Sequence, residues 1–189
     1  MSEQKDNRGD LIKKIIEIEL EMFQTVKSKG PAPCQERTET FRAMRWMAHS
    51  VLSEDTLESY LDDVTQAKQA GRNLMTEKYG RMEGIIPPLK DNPEVIAMID
   101  GITRVEASWM QEFSVKYPRI VTNNGAGFSS YFRCELETYS DRTLELYHRD
   151  VVRARDQGVN FAEISYTNLF KRLGYASLDE VNSEPETEG

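Results

Sequence analysis

Histidine is nearly missing from this chain: His49 and His148 are the two among 189 residues. A helical di-iron centre takes glutamates from two helices and a Glu-x-x-His pair from each of two more. One such pair exists here, Glu145 to His148, and His49 has no comparable partner in sequence. The spacing leaves a carboxylate-rich metal enzyme as an alternative, names no metal ligand and assigns no Ser-His-Asp arrangement. Cysteine is as scarce. Cys34 and Cys134 stand far apart without a Cys-x-x-Cys motif, and are expected to be free thiols in a reducing compartment. Gly125-Ala-Gly127 lacks the strand, the third glycine and the lysine that a phosphate-binding loop needs. No apolar run approaches a membrane span, and Met1 to Asp10 holds no apolar signal core, so a cytoplasmic protein without membrane association is expected. Positive charge is outnumbered, with 24 Lys and Arg against 32 Asp and Glu. The resulting net charge of −8 argues against nucleic acid as a partner, because the phosphate backbone calls for a basic surface.

What the chain has in quantity is helical periodicity. Asp10 reads as an N-cap for a helix to about Ser28, ended by Gly30, Pro31 and Pro33. A second helix spans about Glu36 to Leu52. Ser53 caps a third that is expected to continue to about Met82, although Gly71 and Gly80 weaken it. Asn92-Pro93 opens a fourth, stopped by Pro118. A turn-rich loop, Val121 to Gly127, leads to a fifth from about Ser129 to Ala154. Asn160 with Glu163 opens a sixth to Leu173, with Gly174 just past its end. Ser177 and Glu180 suit a last short turn. The expectation is an all-α fold: one helical-bundle-like domain of five or six main helices over residues 11–181, with disordered ends at 1–10 and 182–189.

Two glutamates fall where the helices should be apolar. Glu19 interrupts the stripe Ile12, Ile15, Ile16, Met22, Phe23, and Glu106 interrupts Val95, Ile99, Ile102, Trp109, Phe113. At about 100° per residue, both carboxylates project within the apolar arc. A buried carboxylate is paired, protonated or used, since leaving it unpaired costs several kcal/mol. Arg45, between Phe41 and Ala48 on the inner face of helix two, suits either a protein carboxylate or a ligand anion. Asn73, Glu77 and Arg81 recur every four residues opposite the apolar stripe. They form either an exposed ladder or, if another helix covers them, a buried network. Cys34 precedes a helix N-terminus with Arg37 nearby, so it reads either as a nucleophile with a lowered pKa or as a small packing residue.

Several short strings coincide in order. Ala32-Pro-Cys34-Gln35 is followed by Thr40-Phe41 and Met44-Arg45, then Gly71-Arg72-Asn73-Leu74, Glu77-Lys78-Tyr79 and Arg81-Met82. Glu135-Leu136-Glu137-Thr138-Tyr139-Ser140 and Leu173-Gly174-Tyr175 complete the set. Together they resemble the DUF4125 family of bacterial and archaeal helical proteins over roughly residues 11 to 181. The resemblance implies a cytoplasmic helical protein and brings no activity with it. It also implies, as an alternative role, a non-catalytic module acting with a nucleotidyltransferase-like protein. Trp46-Met47-Ala48-His49 departs from the family pattern, which leaves a metal role for His49 unsupported. The signature places weight on Cys34, Arg45, Asn73, Glu77, Tyr79, Arg81 and Glu135. The leading expectation is an internal polar pocket for a small anionic or zwitterionic metabolite. Arg45 and Arg81 would hold its negative group, and Glu77 with Glu19 or Glu106 would orient it or move a proton. Tyr79 would donate a hydrogen bond. No cofactor is named by the sequence.

Overall fold

The computed structural model describes residues 7–26, 37–122 and 127–183. Cys34, Gln35, the Gly30 to Pro33 stop and most of the loop before Gly127 lie outside them. Among the described residues the chain is all-α, with nine helices: α1 (Asn7–Gln24), α2 (Thr38–His49), α3 (Glu54–Gln69), α4 (Leu74–Met82), α5 (Pro93–Lys116), α6 (Phe128–Leu136), α7 (Asp141–Asp156), α8 (Phe161–Arg172) and α9 (Leu178–Ser183). None of the helices is long and apolar enough to cross a membrane.

The count exceeds the expected five or six main helices because two long helices are each broken once and the expected last short turn forms α9. The expected third helix stops at Gln69. Gly71 takes a left-handed φ of 70°, and the amides of Gly71 and Arg72 turn back to the carbonyls of Lys68 and Ala67. That is the backbone pattern by which glycine ends a helix. Asn73 then accepts a hydrogen bond from the Thr76 amide and starts α4. The expected fifth helix breaks at Ser140, whose hydroxyl accepts from the Thr143 amide and caps α7. α1 also differs from expectation. It already includes Asn7 to Asp10, so Asp10 sits inside the helix rather than capping it, and Arg8 reaches the carbonyls of Ser50 and Leu52. The other caps agree with their sequence signals. Asn92 accepts from the Glu94 amide, Asn160 from the Glu163 amide, and Ser177 from the Glu180 amide.

The helices form two layers. α1 packs against α2, α3 and α4, and α5 packs against α6, α7 and α8. The layers meet through α2 with α8, α3 with α7 and α4 with α6. Ile15 of α1, Leu57 and Val64 of α3, Ile99 and Ile102 of α5, and Leu144 of α7 are fully sealed in the shared core. Each such side chain contributes about 1.5–3 kcal/mol by leaving water. Asp150 of α7 locks the second layer to the start of α3, accepting from the Ser53 amide and, at 2.6 Å, from the Thr56 hydroxyl. A carboxylate there meets the unpaired N–H groups at the positive end of a helix. α4 packs against α6, and Arg45 of α2 reaches Glu135 of α6, so buried polar groups collect where these short helices approach.

Candidate functional site

Glu19 and Glu106 are both buried, as their stripes predict, but their surroundings differ. Glu19 is completely enclosed. Arg45 approaches it with two nitrogens, Nε to Oε2 at 2.9 Å and Nη2 to Oε1 at 2.5 Å. The Tyr60 hydroxyl donates to Oε1 at 2.9 Å. His49 Nε2 lies 3.1 Å from Oε2 and 3.4 Å from Arg45 Nη2. The shorter contact to the carboxylate assigns the proton to Nε2, with the ring donating to Glu19. Burial would raise the Glu19 pKa, yet Arg45 and His49 overcome it and bring the carboxyl down to about 2.

Arg45 is shared. Its Nη2 lies 2.8 Å from Glu135 Oε1, and Glu135 also accepts from Lys78 Nζ at 3.1 Å and from the Tyr139 hydroxyl at 3.2 Å. Lys78 is almost fully buried, donates to the Tyr131 hydroxyl at 2.7 Å, and lies 4.2 Å from that ring's centroid. Burial opposes the charge on Glu135, but Arg45 and Lys78 hold its carboxyl well below the usual range. Burial likewise acts against the Lys78 ammonium and Glu135 outweighs it, leaving its pKa raised. Two cations, Arg45 and Lys78, therefore face two carboxylates, Glu19 and Glu135. The network ties α1, α2, α3, α4 and α6 together.

Glu106 stands apart from this balance. Among the described residues its hydrogen-bond donor is the Tyr147 hydroxyl, 3.1 Å from Oε1. Burial pushes its carboxyl up to about 7, and the Tyr147 bond only partly opposes the rise. Glu106 lines a cavity of about 230 Å³ between α2, α5, α6, α7 and α8. The remaining wall is largely apolar and aromatic, from Met44, Met47, Met110, Phe132, Phe161 and Tyr166 among others, with Arg45 and Glu135 at one side. The two charged systems thus meet at one hollow.

The other expected site residues do not converge on it. Glu77 is half-exposed and pairs with Arg72, Oε2 to Nη2 at 2.7 Å. Asn73 is spent on capping α4 and on the Met22 carbonyl. Arg81 pairs with Glu137, Nε to Oε2 at 2.6 Å, and also meets the Ile86 carbonyl. Tyr79 sits 5.1 Å from Lys78 Nζ and is not part of the cavity wall. The structure therefore does not bring Glu77, Arg81 and Tyr79 together with Arg45 at the cavity. The break before α4 turns that face towards Arg72 and Glu137 instead. Cys34 lies outside the described residues. Cys134 is free and buried, and burial raises its thiol pKa. The Glu145 to His148 pair is exposed on α7, and the described residues include no group of three His, Cys, Asp or Glu able to hold a metal ion.

Sequence reasoning overlooked Lys78 and discounted His49. A signal for Lys78 existed, since it lies three residues after Met75 and four after Leu74, on the buried face of α4. His49 lies four residues after Arg45, so the same helix face presents both to Glu19. Over residues 9–183 the chain matches the family described as Protein of unknown function (DUF4125), and it belongs to that family. No curated protein and no solved structure gives a significant match.

Proposed function

We propose that this DUF4125 protein binds a small molecule in the cavity beside Glu106, with an apolar body in the hollow and a polar end at the carboxyl. The observation that carries the reading is a buried carboxyl, forming no ion pair among the described residues, set in the wall of a largely apolar and aromatic cavity. Ligand sites have this make-up: an apolar lining for affinity and a few polar groups for orientation. A carboxyl whose pKa lies near neutrality is also suited to taking or giving a proton, and Glu106 is the residue for such a step. A cavity of about 230 Å³ suits a compact ligand. The expected anionic or zwitterionic metabolite finds less support. Arg81 is engaged with Glu137 away from the cavity, and Arg45 is already held by two carboxylates. The buried ion network serves in this reading as the frame that holds α2 and α6 around the hollow.

Melting curves against a library of compact apolar and amphipathic compounds test the proposal. Binding to the native state raises Tm in proportion to the logarithm of ligand excess. Ala48→Phe, on the cavity wall, should fill the hollow and abolish the rise while leaving the ligand-free melt near that of the parent. A ligand that stabilises parent and Ala48→Phe equally would place binding elsewhere and refute the reading.

A further inference from the structure

The charge pattern of the cavity wall selects among ligands. Arg45 and Lys78 are paired with Glu19 and Glu135 on one side of the hollow. Among the described residues Glu106 has no such match. The titratable groups that share the cavity wall with it are Arg45 of α2, Tyr131 and Glu135 of α6, Tyr147 of α7 and Tyr166 of α8. Of these, Tyr147 bonds it, and Arg45 is turned to Glu19 and Glu135. The rest of the wall is largely aromatic rings and methionines. Ring faces attract cations through their quadrupole, more strongly once water is excluded. An ammonium or amidinium group can supply the counter-charge that Glu106 lacks, and a carboxylate ligand cannot.

Resting on the cavity reading above, we propose that the ligand is a small organic cation, an amine or amidine on an apolar or aromatic body, paired with the Glu106 carboxylate. Binding then couples to ionisation. Where Glu106 is protonated before binding, the arriving ammonium stays charged, the carboxyl loses its proton to solvent, and the N⁺–H donates to the resulting carboxylate. Where Glu106 is already ionised, no proton is released. Burial keeps the carboxyl protonated up to about pH 7. Proton release should therefore approach one at pH 6 and fall towards zero at pH 8.

The test is calorimetric titration of the full chain with 2-phenylethylamine, 2-phenylethanol and 3-phenylpropanoic acid. Each is run at pH 6 and pH 8 in two buffers of different ionisation enthalpy, on parent and on Glu106→Gln. The amine should bind the parent about tenfold or more tighter than the alcohol at pH 8, as expected for a buried charge-assisted hydrogen bond. At pH 6 it should release close to one proton. In Glu106→Gln the amine should lose its advantage and its proton release while the alcohol binds as before, which also shows that the variant's cavity is intact. Tighter binding of the acid or the alcohol than the amine would overturn the cation assignment and leave the cavity reading standing. Failure of all three probes to bind the parent would overturn both.

Discussion

Arg45 is the residue on which most of the buried polar structure depends. Its guanidinium meets Glu19 and Glu135 at once, on helices that are far apart in sequence. Replacing it with methionine would leave two carboxylates in the core facing only Lys78, His49 and tyrosine hydroxyls. Loss of one partner from a buried ion pair costs about 3–5 kcal/mol. Urea unfolding of Arg45→Met should show at least that loss. Arg45→Lys should recover only part of it, because an ammonium cannot bridge Glu19 bidentately. Glu106 should behave in the opposite way. Among the described residues it has no cation to lose, and above pH 7 its ionisation in a buried setting costs the fold about 3 kcal/mol. Glu106→Gln is expected to raise Tm at pH 8 and to have little effect at pH 5. Sequence periodicity places both glutamates inside, yet gives no sign that one is paired and the other is not.

At the level of elements, the two helix breaks decide which polar residues enter the site. Had α3 and α4 formed one helix, Asn73, Glu77 and Arg81 would have continued a single solvent-facing ladder. The left-handed Gly71 re-aims α4 so that Lys78 enters the core and Arg81 turns to Glu137. Gly71→Ala has open space for its methyl group, so its cost is conformational, about 1 kcal/mol. Ser140→Ala removes the hydroxyl that caps α7 and should cost about 1 kcal/mol as well. Chemical denaturation of the two variants measures both losses. Their double variant should lose close to the sum, since the caps share no partner. The Ser140 cap has a sequence signature, Ser-Asp-x-Thr, but the apolar period runs through it, and that period favours one uninterrupted helix. Weak local signals of this kind are settled by which packing buries more apolar surface.

For the whole molecule, the buried carboxyls give stability two opposite dependences on pH. Glu19 and Glu135 have lowered pKa values, so the unfolded chain binds more protons than the fold once pH drops below the ordinary glutamate value of 4.5. Their contribution is complete above that pH and is lost as pH falls towards about 2. Glu106 is raised to about 7, so the fold binds the extra proton between 4.5 and 7 and stability declines as pH rises through that window. Unfolding free energy against pH should therefore peak near pH 4.5 to 5 where these three groups dominate. In Glu106→Gln the decline towards neutrality should shrink by about 3 kcal/mol. A parent profile flat from pH 5 to 8, and unchanged by the substitution, would show that Glu106 is solvated in solution.

By itself the sequence determined the all-α class, most helix starts, and the burial of Glu19, Glu106 and Arg45. These follow from a 3.6-residue period and from capping chemistry, both of which act over a few residues. Only the tertiary structure decided that Arg45 joins Glu19 to Glu135, that Lys78 and His49 complete the network, and that Glu106 lines a largely apolar hollow with no ion-pair partner among the described residues. Those outcomes depend on how two layers of helices meet. Which cation reaches which carboxylate is set by Coulomb attraction and desolvation at that meeting, between residues 26 to 90 positions apart in the chain.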